Sequence, residues 1–243
     1  MSMPFYVAPE QVMKDRADYA RKGIARGRSL VGATWADGIL LAAENPSRML
    51  RKISEIYDRI AFAGVGKYNE FDQLRMAGVR HADLKGFTFS REDVDARSLA
   101  NQYAQILGQV FTNEMKPMEV EILVVEVGHE PSGDQLFHIH YDGTLVDETD
   151  FTVLGGDADT IRERMAASYQ PESTLPQVLG AAVGALAGPD RTLTGKELEV
   201  AVLERNGARR AFHRIENGEL TALLEEAGVP TAAPADSASD ASA

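Results

Sequence analysis

The sequence predicts an α+β protein of four layers, an αββα sandwich in which two stacked antiparallel sheets carry helices on both outer faces. Three observations predict it. Strands come in hairpin-linked runs, helices come in pairs between those runs, and about ten strands are too many for one comfortable open sheet. A parallel ladder would alternate single strands with single helices, which this chain does not do.

The elements follow in chain order. Residues 9–24 read as an amphipathic helix: Pro9 suits the first helical position, Glu10 suits the positive end of the helix dipole, and Met13, Ala17, Ala20 and Ile24 form one apolar stripe. Gly23 and Gly27 close it. A helix ahead of any strand must pack on the chain's own core or on a neighbour. Strands 29–35 and 39–44 flank Ala36-Asp37-Gly38, and an Asp-Gly pair between apolar runs signals a hairpin. A second pair, 52–57 and 60–65, turns at Asp58-Arg59. Helices are expected from about Lys67 through Gly78, and along the stripe Leu99, Tyr103, Ile106, Leu107, Val110 and Phe111.

Strands return at 120–127 and 136–141, with Asp142-Gly143 turning the chain toward Leu145, and a short strand at 151–154 ends on Gly155-Gly156. Helices 159–169 and 175–186 are separated by Pro171, the second opened by the Ser173-Thr174 cap region. Strands 198–204 and 210–215 turn at Asn206-Gly207, and a short helix covers 219–227. From Pro230 onward Ala, Pro, Asp and Ser dominate, and such a tail cannot bury enough surface to order itself. The expected organisation is a terminal segment at 1–8, one domain at 9–227 and a disordered tail at 228–243.

Composition removes several functions. A net charge of −12 argues against general nucleic-acid binding, which needs a basic footprint. Six basic residues between Lys14 and Arg28 face only Asp15 and Asp18, and Arg48, Arg51 and Lys52 make a second local excess. Each reads first as a solvated face, while two such clusters in an acidic chain leave room for an anionic partner. The absence of cysteine excludes a disulfide framework, a thiolate metal site and a cysteine nucleophile. No apolar run approaches the roughly 20 residues that cross a bilayer, and MSMPFYVAPEQ has no basic and long apolar signal pattern. The expectation is a cytoplasmic protein without membrane contact.

His138 and His140 stand at i and i+2 on an expected strand and so share a face, but two aligned histidines are a weak metal motif. No metal site and no cofactor are expected. Gly64-Val65-Gly66-Lys67 lacks the spacing of a phosphate loop, with Ala61 and Tyr68 at the required positions, and reads as a strand-to-helix turn.

The stretch SLVGATWADGILLAAENPSRMLRKISEIYDRIAFAGVGKYNEFDQLR, residues 29–75, resembles the proteasome subunit family within the N-terminal-nucleophile hydrolases. Strand, Asp-Gly turn, strand, basic connector, Lys-Ile-x-x-Ile and a strand ending in small residues before a helix is that family's opening layout. The preceding YVAPEQVMKDRADYARKGIARGRS resembles the N-terminal extension of actinobacterial-type α subunits. A catalytic β subunit presents a threonine whose free α-amino group is the general base. Here Arg28 or Ser29 stands at that place, no Gly-Thr junction lies nearby, and Thr34 lies inside the strand. The resemblance therefore implies a non-catalytic α subunit, with a hydrolase processed at Ser29 as the alternative.

It implies further that copies form heptameric rings on catalytic β rings and gate the axial pore. The partners would be β subunits, an ATPase ring that delivers tagged (pupylated) proteins, and ATP-independent activators. Met3, Phe5, Tyr6 and Pro9 are the expected gate residues, because an apolar and aromatic terminus can block a pore where copies converge. Lys52 is the expected ligand of an activator's C-terminal carboxylate, with Arg51 as the alternative should the register slip by one.

Overall fold

The computed structural model describes residues 8–47, 49–205 and 209–229. Six helices and ten strands are found among them. They are α1 (Pro9–Ile24), α2 (Tyr68–Thr88), α3 (Ala96–Asn113), α4 (Ala158–Ser168), α5 (Leu175–Ala187) and α6 (Asn217–Glu226). The strands are β1 (Leu30–Trp35), β2 (Gly38–Glu44), β3 (Ile53–Tyr57), β4 (Ile60–Gly66), β5 (Val120–Glu126), β6 (Gln135–Ile139), β7 (Leu145–Glu148), β8 (Phe151–Leu154), β9 (Leu198–Glu204) and β10 (Phe212–Ile215). Two five-stranded sheets result, ordered β10-β9-β2-β1-β8 and β3-β4-β5-β6-β7, and every pairing is antiparallel.

Alternation along the strands builds the layers. In β2 the side chains of Ile39, Leu41 and Ala43 join the core between the sheets, while Leu40 and Ala42 face α4 and α5. In β5 Leu123 and Val125 point inward, and Val120, Ile122 and Val124 pack with Leu74, Leu99 and Tyr103 of α2 and α3. Both faces of these strands are buried, which is why they read as unbroken apolar runs rather than alternating ones. The expected αββα sandwich is observed. The first helix belongs to neither outer layer: Ala20 and Ile24 of α1 enter the inter-sheet core, so α1 closes one end of the sandwich.

Local signals set the helix starts. Asp95 accepts the Ser98 N–H at 2.7 Å to cap α3, and Thr174 with Gln177 forms the capping box of α5. The largest departure from the expected boundaries is at α2. Helix α2 continues ten residues past Gly78, the expected end, to Thr88. Gly78 is there for packing rather than termination: a Cβ at this position would lie 1.7 Å from the Tyr103 hydroxyl of α3. The strand-to-helix turn before Lys67 is as expected, with Gly66 at φ +107.

Met3, Phe5 and Tyr6 lie outside the described residues, as do the Asn206-Gly207 turn and the chain from Pro230. Two residues assigned to the tail from sequence belong to the fold instead. The Val229 N–H donates to the Leu224 carbonyl at 2.9 Å, and Val229 packs beside the core under α5 and α6. No described helix is long and apolar enough to cross a membrane.

Candidate functional site

The corner where β2 ends and β3 begins holds the basic connector. Its organiser is Glu199, a carboxylate on β9 that is 3% exposed between the apolar Leu198 and Val200. It accepts the N–H groups of Lys52 (2.8 Å) and Ile53 (3.2 Å), the Asn45 amide (2.7 Å) and the Arg214 guanidinium (2.6 Å). Arg214 also donates to the Ile53 carbonyl at 2.7 Å. Since β9 belongs to one sheet and β3 to the other, Glu199 ties the two sheets together at the point where Lys52 enters.

The Lys52 ammonium donates to the Arg28 carbonyl at 2.5 Å, leaving two of its three N–H groups for another acceptor. Nearby Glu44 pairs with Arg28 at 3.0 Å and with Arg191 at 3.1 Å. Glu44 thus serves both Arg28 and Arg191, Arg214 is taken by Glu199, and Glu197 is a further carboxylate facing Arg28 and Arg191. Burial pushes the Lys52 ammonium down to about 8, against the upward pull of Glu199 and Glu44 and with a further lowering from Arg28. Met49 and Leu50, just before it, are exposed apolar residues.

Arg51 points elsewhere. It pairs with Glu216 at 3.0 Å, so the two alternatives for one role have different surroundings. Pro9 is exposed at the first position of α1, where the Ala8 carbonyl accepts from Gln11 and Val12. The basic run of α1 is partly consumed within the fold. Arg16 donates to the Phe111 and Glu114 carbonyls at the end of α3, and Arg21 pairs with Asp18 at 3.4 Å.

Ser29 is buried at 7% exposure, its carbonyl accepting the Glu44 N–H at 3.1 Å. Its nitrogen is an internal amide. The preceding Arg28 carbonyl is the one bound by Lys52, and α1 lies upstream with Ala20 and Ile24 buried in the inter-sheet core. An amide has no basic lone pair to activate a hydroxyl, so Ser29 in this state is not a nucleophile.

A second cluster gathers at the mouth between the sheets, where Glu121 of β5 meets His138 and His140. The two imidazoles stack at 4.1 Å with a tilt of 35°. Glu44, Glu121, Asn45, Glu199 and Arg214 were not singled out from sequence. The available signal was a carboxylate flanked by apolar residues inside a strand, Leu198-Glu199-Val200 and Val120-Glu121-Ile122.

Sandwich, buried Ser29 and α1 packed ahead of it together define a subunit of the four-layer architecture in which an upstream helix stands before the first strand. Residues 24–203 match the family model described as proteasome subunit. The chain is 64% identical over 224 residues to the proteasome subunit alpha of Acidimicrobium ferrooxidans, covering 92% of this chain and 97% of that one. It is 58% identical over 229 residues to the same-named protein of Sanguibacter keddieii, with 92% and 90% covered, and 54% identical over 230 residues to that of Thermobifida fusca, with 93% and 92% covered. The chain belongs to the proteasome subunit family, and its resemblance is to actinobacterial α subunits.

Proposed function

We propose that this chain is the non-catalytic α subunit of a cytoplasmic proteasome core particle. Seven copies form each outer ring, stacked on catalytic β rings, and control access of unfolded substrate to the threonine active sites inside. The observation that carries the reading is α1, whose Ala20 and Ile24 are packed into the inter-sheet core directly ahead of the buried Ser29, where a catalytic subunit presents its threonine. Exposed apolar side chains support contact with other subunits: Leu84, Phe87 and Phe89 at the end of α2 are 66%, 90% and 74% exposed. The activity test uses the purified chain alone, which is expected to leave fluorogenic peptides intact. Turnover in the complete absence of β subunits, with a mature terminus at Ser29 by mass spectrometry, would establish the hydrolase alternative.

The gate reading concerns the terminus. Met3, Phe5 and Tyr6 are apolar side chains ahead of Pro9, and copies converging on a symmetry axis could bury them against one another. Deleting residues 2–8 is expected to accelerate hydrolysis of long peptides by the assembled particle while leaving short peptides unaffected. An unchanged rate for long peptides would show that these residues do not limit access.

Lys52 is the docking residue in this reading, with Arg51 the alternative. The incoming group is the C-terminal carboxylate of an ATPase ring that delivers pupylated proteins, or of an ATP-independent activator. The remaining ammonium donors of Lys52 and the exposed Met49 and Leu50 support recognition of a chain end with apolar residues before it.

A further inference from the structure

Two donors looked insufficient for a metal in the sequence; the fold supplies a third. The inter-strand register pairs Ile122 with Ile139 and Leu123 with His138, so Glu121 comes alongside the end of β6 where His138 and His140 share its face. The nearest Glu121 oxygens stand 3.7 Å from His138 Nε2 and 3.5 Å from His140 Nδ1. One donor atom from each of the three side chains can be chosen so that all lie within 4.8 Å of one another.

These separations are long for direct hydrogen bonds, whose N···O distances are about 2.7–3.2 Å. They sit close to the ligand–ligand spacing around a tetrahedral ion with bonds of about 2.0–2.1 Å, for which the edge is roughly 3.4 Å. A second observation concerns burial. His138 is 4% exposed, and its Nε2 is buried without a hydrogen-bond partner among the described residues. A buried nitrogen left in this way is costly, and a bound cation would satisfy it.

We infer that Glu121, His138 and His140 form a binding site for one divalent transition-metal ion of the zinc class. Two imidazoles and one carboxylate, with no thiolate, suit ions that accept nitrogen and oxygen together, and not magnesium or calcium, which demand oxygen. The site opens into a cavity of about 660 Å³ that is also lined by Asp142, Glu148 and Arg162, which gives water access to the remaining coordination positions. Arg162 is engaged by Glu148 at 3.2 Å, and Asp142 adds negative charge on the same side. A bound ion would join β5 to β6 at the end of the sandwich that α1 closes, and the inference does not depend on the ring or docking readings.

The test is calorimetric titration of the full chain, freed of any histidine tag, with zinc chloride, alongside thermal unfolding with and without zinc. The wild-type chain is expected to take up one ion per chain and to unfold at higher temperature when loaded. Glu121→Gln and His140→Ala are each expected to weaken binding by more than about tenfold and to abolish the thermal shift, since even loss of an outer-shell partner costs about 10–100-fold. His140 is only partly buried, so His140→Ala keeps the test valid if Glu121→Gln does not fold. Absence of zinc binding in the wild type, wild-type affinity in His140→Ala, or an equal response to magnesium chloride would each overturn the site.

Discussion

Lys52→Ala is expected to abolish activator-stimulated degradation while leaving particle assembly and short-peptide cleavage intact. Truncating one side of a desolvated charge contact costs about 2–5 kcal/mol. At 1.4 kcal/mol per tenfold, that weakens docking by about thirty-fold to several thousandfold. The ammonium is not a donor to Glu199, so its removal leaves all four Glu199 contacts in place and the corner itself should survive. Stimulation persisting at the wild-type level would move the docking role elsewhere, and Arg51→Ala is then the next variant, although Arg51 is already paired with Glu216.

The same residue gives a pH test with a defined sign. Burial holds the Lys52 ammonium at about 8, below its ordinary value of 10.5. Below about 8 it is charged and attracts a carboxylate; above, it loses the proton and docking weakens. A labelled activator C-terminal peptide is expected to bind more tightly at pH 7 than at pH 9, and its amidated form weakly at both. Folding stability should respond in the opposite direction. Between about 8 and 10.5 the unfolded chain holds more protons at this group, so its contribution favours folding as pH rises. Peptide affinity that is flat from pH 7 to 9 would remove Lys52 as the charged partner.

Glu199→Ala is expected to destabilise the subunit by about 3–5 kcal/mol, the range for breaking a buried ion pair from one side. The loss strands the Arg214 guanidinium, the Asn45 amide and the N–H groups of Lys52 and Ile53 in one step. Chemical denaturation measures it. Glu199→Gln keeps an acceptor oxygen and should lose less. Docking should fall in both variants, because the backbone that presents Lys52 is anchored through this carboxylate. A loss below about 1 kcal/mol for Glu199→Ala would mean that water replaces these contacts without penalty.

Much of the fold was legible because its signals are local. Asp-Gly and Asp-Arg turns, unbroken apolar runs, Pro9 at a helix start and the Thr174 cap each act within a few residues, and the strand and helix order followed from them. The end of α2 was misread for the complementary reason. Gly78 looks like a terminator locally, and only the approach of Tyr103 from another helix reveals it as a packing glycine.

The sequence by itself determined the architecture and the family likeness, since these depend on periodicity, turns and the order of residues in the opening strands. Tertiary structure alone decided the surroundings of each charged group. It brought Glu199 to Lys52 from 147 positions away, sent Arg51 to Glu216, and set Glu121 beside His138 and His140. The physical reason is that a buried carboxylate must find its donors wherever the sheets bring them, and sheet pairing joins residues that no local rule connects.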